Sequence, residues 1–169
     1  MTGPAPEPRE DAAAPLPSRA AAQLETFFPY RLAIAAEAFS RSLAAVYGRH
    51  YGLSREEWRL LFLLAEEPEV TSLELSRRST LDKVQVSRAS QRLEDKGLIT
   101  RAIAPDDRRL RLYACTDKGR ALFAEALPQV EARSAEILKA ISASDLAALE
   151  QGLAALTQAL DRDPPTGGI

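Results

Sequence analysis

TSLELSRRSTLDKVQVSRASQRLEDKGLITRAIAPDDRRLRLY, residues 71–113, carries a short helix, a tight turn, a second helix and two extended runs, in that order. Thr71 with Glu74, and Asp82 with Gln85, place a short oxygen-bearing side chain three residues ahead of a Glu or Gln, the reciprocal pattern that satisfies orphan N–H groups at a helix start. These boxes predict helices over residues 72–78 and 83–96, and Gly97 supplies the left-handed residue that closes the second. Residues 98–103 and 110–115 are rich in apolar and β-branched side chains and flank Ala104-Pro105-Asp106-Asp107, as a hairpin requires. Helix, turn, helix and hairpin in this order predict a winged helix-turn-helix.

Charge concentrates on the same stretch. From Ser76 to Arg111 there are ten basic and five acidic residues, a local +5, whereas the rest of the chain holds twelve basic and nineteen acidic residues. The overall net charge of −2 therefore hides a cationic patch on an acidic body, and such a body repels polyanions everywhere but at the patch.

Outward from this stretch the pattern is helical. The first 17 residues contain five prolines, a composition that cannot bury enough surface to order itself, so residues 1–22 are expected to be a disordered arm. Apolar residues then recur at Phe28, Leu32, Ala35, Phe39, Leu43, Val46 and Tyr47 in steps that keep one helical face, with Gly48 and Gly52 expected to end that helix. Ser54 with Glu57 opens a helix that stops before Pro68, Thr116 caps the next, with Pro128 a bend, and Ser142 with Asp145 opens a last one. The apolar stripes of the first and last helices have no other large partner in so small a winged domain, which predicts a homodimer. The expected organisation is a disordered arm (1–22), a helical dimerisation region (23–52 and 117–161), a DNA-binding winged domain (53–116) and a disordered tail (162–169). The fold class is mainly α with a small β-hairpin wing, with N- and C-terminal dimerisation helices.

Several functions are disfavoured by composition. No segment approaches the roughly 20 apolar residues that span a bilayer, and the N-terminal residues lack the basic and apolar regions of a secretory signal, so a cytoplasmic protein without membrane contact is expected. One cysteine and one histidine offer neither a disulfide, a metal constellation nor a choice of catalytic bases. The expectation is no enzyme, no metal and no cofactor.

On the helix of residues 83–96, Val86, Ala89 and Leu93 form the stripe expected to be buried, leaving Lys83, Gln85, Ser87, Arg88, Gln91 and Arg92 outside. Arg88 suits guanine, Gln85 or Gln91 adenine, Ser87 either, and Val84 a thymine methyl. Thr71, at the start of the first helix of the motif, belongs to the same DNA-facing set. At the hairpin tip Asp107 can hold Arg109 extended toward the minor groove, with Arg108 beside it.

Residues 29–123 resemble the MarR family of bacterial transcription regulators. The most specific element is the wing pattern Asp-x-Arg, five residues, Leu-Thr, two residues, Gly, here Asp107-x-Arg109, Cys115-Thr116 and Gly119. Leu-Ser-x-x-Glu-Trp from Leu53 to Trp58, Glu-Leu-Ser from Glu74 to Ser76, and Val-Ser-Arg with Leu-Glu and Gly-Leu at fixed spacing from Val86 to Leu98 support it. The resemblance implies a homodimer whose first and last helices interlock, two winged lobes, and a small phenolic or other effector between them. Cys115 departs from the usual leucine and is read as a small buried hydrophobe.

An effector crevice is expected where the dimerisation helices meet the winged lobes, lined by some of Phe28, Arg31, Tyr47, His50, Tyr51 and Trp58, with small aromatic carboxylates as ligands. More ordinary roles compete: His50 against the helix dipole, Trp58 in the core, Arg31 as a surface arginine. The reading is a ligand-responsive repressor that binds a pseudo-palindromic site on double-stranded DNA as a homodimer. Its alternatives are a winged-helix interaction module without DNA reading, or the dimerisation part of an enzyme. The second needs a cofactor loop that the sequence lacks.

Overall fold

The computed structural model describes residues 24–104 and 110–162, which fall into one unit ending at Phe39 and a second beginning at Ser40. Helix α1 (Phe28–Tyr51) contains the boundary. In the first unit, Pro29 occupies the first turn of α1, where its missing N–H costs no helix bond. Leu24, Phe27, Phe28, Tyr30 and Ile34 of this unit are exposed. Gly48 does not end the helix as expected: α1 passes through it to Tyr51. The turn comes at Gly52, whose φ of 62° suits a residue without Cβ.

The second unit is built around helix α2 (Arg55–Ala65). Ser54 accepts from the Glu57 N–H at 3.2 Å while Glu57 accepts from the Ser54 N–H at 2.7 Å, so the expected capping box is complete. Leu60, Leu61 and Leu64 are fully buried, each worth about 1.5–3 kcal/mol of removal from water. They share one apolar cluster with Tyr47, Leu75, Val86, Leu93, Tyr113 and Phe123.

Helix α3 (Ser72–Ser79) is capped by Thr71, whose hydroxyl accepts from the Glu74 N–H at 3.2 Å. The Glu74 carboxylate faces Arg78, 3.7 Å away, so here one half of the expected box is in place. The helix closes on Thr80, which has a left-handed φ of 57° and is the only non-glycine residue with positive φ among the described residues. Helix α4 (Lys83–Asp95) has a full capping box between Asp82 and Gln85. It ends in a Schellman turn: the Leu98 N–H donates to Leu93 O at 2.9 Å, the Gly97 N–H to Glu94 O at 2.8 Å, and Gly97 takes φ 70°.

Strands β2 (Ile99–Ile103) and β3 (Arg111–Cys115) pair antiparallel with Ile99 opposite Cys115 and Ile103 opposite Arg111. A third strand, β1 (Val70–Thr71), pairs with β3 on its other side, Val70 opposite Tyr113, giving the order β1-β3-β2. The sequence reading missed β1 because two residues are too few to show alternation. Helix α5 (Asp117–Leu138) starts at the Thr116 cap and runs unbroken through Pro128. Gly119 in its first turn meets the wing root so closely that a Cβ there would lie 2.1 Å from Leu98 O and 2.7 Å from Cys115 Sγ. Helix α6 (Ala143–Arg162) begins after Ser142, which accepts from the Asp145 N–H at 3.1 Å. None of its residues is buried, and Leu149, Leu153 and Leu160 are exposed.

Candidate functional site

Helix α4 presents two faces. Val86, Ala89, Ser90 and Leu93 are buried, and Ser90 packs there because its hydroxyl donates to Ser87 O at 3.1 Å. Lys83, Val84, Gln85, Ser87, Arg88, Gln91 and Arg92 all face solvent, as the 3.6-residue period requires. Val84 is 56% exposed, a large apolar side chain turned toward solvent. Lys83 and Ser87 lie one turn apart in one row, Val84 and Arg88 in the next, and among the described residues the Lys83 and Arg88 side chains have no intramolecular partner.

The distal outward residues are engaged differently. Gln91 donates to Asp95 at 2.8 Å and accepts from Arg101 of β2. Arg92 turns toward α2 and pairs with Glu57 at 3.0 Å. Of the sequence-derived set, Gln91 and Arg92 are thus occupied within the protein, and Thr71 spends its hydroxyl on the α3 cap. Asp107, Arg108 and Arg109 lie outside the described residues.

Beside the free end of α4 is a cleft of about 610 Å³ lined by Ser72, Ser76, Arg77, Lys83, Ser87 and Arg111, with Leu73, Val86, Leu110 and Tyr113 as its apolar part. Ser76 spends its O–H on Leu81 O at 2.9 Å, which leaves three cations and the hydroxyls of Ser72 and Ser87 on one concave surface; these suit phosphate oxygens, which take charge-assisted bonds from Arg and Lys and neutral ones from Ser. Arg77 and Arg111 entered the sequence reading only as charge; the fold brings them next to Lys83 by pairing β1 with β3 at the α3 cap. The Arg111 N–H donates to Ser72 Oγ at 3.3 Å, which joins strand to helix there.

A second cavity, about 420 Å³, lies between α1, α2 and the end of α3, lined by Ser40, Leu43, Tyr47, Arg55, Trp58, Arg59, Phe62, Leu63, Arg78, Ser79 and Thr80. Tyr47 and Trp58 stack at 5.1 Å with rings 6° from parallel, and Phe62 stands edge-on to Trp58 at 6.3 Å. Burial raises the Tyr47 phenol above its ordinary pKa, while the charges of Arg55 and Arg59 pull it back in part. Arg59 donates to Ser79 O at 3.3 Å and to Thr80 Oγ1 at 2.9 Å, so it holds the turn between α3 and α4.

Of the six effector candidates, Tyr47 and Trp58 line this cavity and His50 and Tyr51 do not. Tyr51 donates to Glu125 at 3.2 Å and accepts from Gln129, joining α1 to α5. His50 is exposed and meets the Tyr51 ring edge at 6.4 Å. Phe28 and Arg31 belong to the first unit, where both are exposed. The cationic wall comes from Arg55, Arg59 and Arg78, which periodicity alone did not distinguish from other surface arginines. No group of three or more His, Cys, Asp or Glu side chains able to hold a metal ion occurs among the described residues. No helix among them is long and apolar enough to cross a membrane.

A three-stranded antiparallel sheet whose hairpin follows a helix-turn-helix defines a winged helix-turn-helix. Residues 51–110 match the sequence model of the MarR family. The chain resembles that family over this stretch. It is 31% identical over 94 residues to YdgJ, an uncharacterised HTH-type transcriptional regulator of Bacillus subtilis, a match covering 56% of this chain and 57% of YdgJ. The chain thus spans little more than half the length of that relative. Among solved structures it resembles the MarR family transcriptional regulator SPO1453 of Silicibacter pomeroyi, at 28% identity and a TM-score of 0.69 over 81% of this chain and 97% of that one. It also shares the fold of Bordetella bronchiseptica BpsR, at 19% identity and a TM-score of 0.68 over 78% and 93% of the two chains. The BpsR structure concerns regulation of DNA binding by 6-hydroxynicotinic acid.

Proposed function

We propose that this protein is a transcription regulator that reads a pseudo-palindromic duplex site as a homodimer and is controlled by a small aromatic acid. The observation that carries the DNA reading is the exposed face formed by Lys83, Val84, Ser87 and Arg88 beside the Arg77–Lys83–Arg111 cleft. Arg88 offers two donors to guanine O6 and N7, Val84 an apolar contact to a thymine methyl, and the cleft takes the adjoining backbone phosphates. Gln85 caps its own helix, its Oε1 accepting from the Asp82 N–H, so it can pair with adenine through both amide atoms only by releasing that bond. Asp107, Arg108 and Arg109 complete the reading as the minor-groove arm of each wing.

Dimerisation is supported by the exposed leucines of α6 and the exposed aromatics at the start of α1, too much apolar surface for a solitary helix to leave in water. Residues 23–52 and 117–161 are assigned to it, and residues 53–116 to the DNA. The cytoplasm is the compartment this role requires.

The effector reading rests on the cavity between α1, α2 and α3. Its aromatic wall and its guanidinium groups suit a flat carboxylate of the kind described for BpsR. Arg59 gives such a ligand a route to the DNA face, because a carboxylate that takes Arg59 competes with Ser79 O and Thr80 Oγ1 for the same donor. Selection of duplexes from a random pool tests the proposal, followed by titration of 6-hydroxynicotinic acid into the complex. Enrichment of an inverted repeat and its release by the acid are expected. A pool that yields no preferred duplex would refute the DNA reading, and enrichment without release would refute the ligand.

A further inference from the structure

The last two turns of α4 are gripped from both sides. On the α2 side sits Glu57, 1% exposed, whose Oε1 accepts from Arg92 Nε at 3.0 Å and whose Oε2 accepts from Lys96 Nζ at 2.9 Å. Lys96 also donates to Gly52 O at 2.8 Å, so the same ammonium reaches the turn after α1. On the β2 side Arg101, 12% exposed at its side chain, donates to Glu94 at 2.8 Å.

The capping role of Glu57 does not account for its charge. A capping box needs one side-chain oxygen on the N-cap N–H, and α4 makes its own box with the neutral Gln85. A carboxylate this buried is costly unless it is paired, and its two cationic partners are Arg92 of α4 and Lys96, the residue that caps the C-terminal end of α4. Burial pushes the Glu57 carboxyl up, but the hydrogen bond and charge of Lys96, the Ser54 N–H and Arg92 outweigh it and hold the group below the ordinary carboxylate range. It is therefore ionised throughout the neutral range.

We propose that Glu57 is a positioning residue for DNA reading, which fixes the far end of α4 against α2 through Arg92 and Lys96 and withholds those two cations from the DNA backbone. The inference rests on α4 being the recognition helix. It confines base reading to the first two turns of α4, where Lys83, Val84, Ser87 and Arg88 stand.

The test compares the full-length wild type with Glu57→Gln, with Arg92→Gln/Lys96→Gln, and with the triple variant that leaves no charge stranded. Glutamine keeps the cap, so the helix content and oligomeric mass of Glu57→Gln should match wild type. Its preference for the enriched duplex over a scrambled duplex of equal length should fall by about tenfold or more. The salt dependence of its binding should steepen, as two freed cations per protomer, four per dimer, add up to about 3.6 to the logarithmic slope. Amide exchange at residues 91–96 should accelerate while that of α5 stays unchanged. The triple variant should lose no more preference than Arg92→Gln/Lys96→Gln and should show no steeper slope. Unchanged preference in Glu57→Gln, or losses that simply add in the triple variant, would overturn the proposal. If Glu57→Gln does not fold, the triple variant against the double carries the decision. If wild type prefers no duplex, the DNA reading itself has failed, and the exchange rates alone then decide whether Glu57 holds α4.

Discussion

Replacing Gly119 by alanine should destabilise this protein, although the same change in most helix interiors stabilises. The intrinsic helix preference of alanine over glycine favours the variant by about 1 kcal/mol. Against it stands the added methyl, 2.1 Å from Leu98 O, 2.7 Å from Cys115 Sγ and 3.0 Å from the Leu98 carbonyl carbon. Two of these three atoms are backbone, so no rotamer change relieves them. Restoring ordinary contact moves the start of α5 from the wing root by roughly 1 Å, because carbon and oxygen need more than 3 Å between them. That shift also pulls on the Thr116 N–H bond to Leu98 O, now 3.0 Å. Overpacking of this kind costs about 1–3 kcal/mol and occasionally more, and contact with rigid backbone puts Gly119→Ala toward the upper end. A net loss of about 2 kcal/mol corresponds to a drop in melting temperature of about 4–8 °C for a chain of this size. Thermal unfolding followed by circular dichroism measures it directly. Adding Cys115→Ala should not restore stability, since the carbonyl contact persists. A Gly119→Ala variant as stable as wild type, or more so, would refute the close approach on which the reasoning stands.

Other outcomes follow from the same geometry. Arg88→Ala should lose about 1–3 kcal/mol per half-site and relax the preference at one base position, whereas Arg77→Ala should weaken all duplexes alike, both read by duplex selection at fixed salt. The Cys115 thiol is buried 3.7 Å from Leu98 O, and burial raises its pKa despite the nearby Arg120; it should resist iodoacetamide at pH 7.5 in the native protein and react readily in denaturant. Glu57 titrates below its unfolded value of about 4.3, so its stabilisation is complete above that pH and is lost as pH falls through the lower, folded value. Acid unfolding curves should show Glu57→Gln losing less stability than wild type between about pH 4.5 and pH 2.

The helix starts were legible in the sequence because each depends on a local pair, Ser54 with Glu57 or Asp82 with Gln85, and local pairs are visible without a fold. The buried stripe of α4 was legible for the same reason, from period alone. What the sequence did not disclose depends on pairing between distant segments. Strand β1 exists because Val70 meets Tyr113 from 43 positions away, and that pairing also brings Arg111 to the cleft beside Lys83. Arg92 reads as an outward cation by its position in the helix, and only the packing of α2 against α4 reveals that it serves Glu57. Tyr47 and Trp58 of the second cavity were among the residues singled out in the sequence; Phe62 and the arginines were not, because Arg78 of α3 meets Arg55 and Arg59 of α2 only through the packing of the two helices.

Thr80 sets two selective pressures against each other. A β-branched residue at φ 57° sits in a region that favours glycine, at a cost of about 1–3 kcal/mol. A search for heat-resistant variants would therefore find Thr80→Gly among its easiest gains. Yet that change deletes the hydroxyl through which Arg59 grips the turn at 2.9 Å, and leaves the connection between the two helices of the motif slack on the cavity side. Breeding this protein for toughness alone would thus wear away the ligand response proposed for it, and lines kept under one pressure or the other should part company at position 80 first.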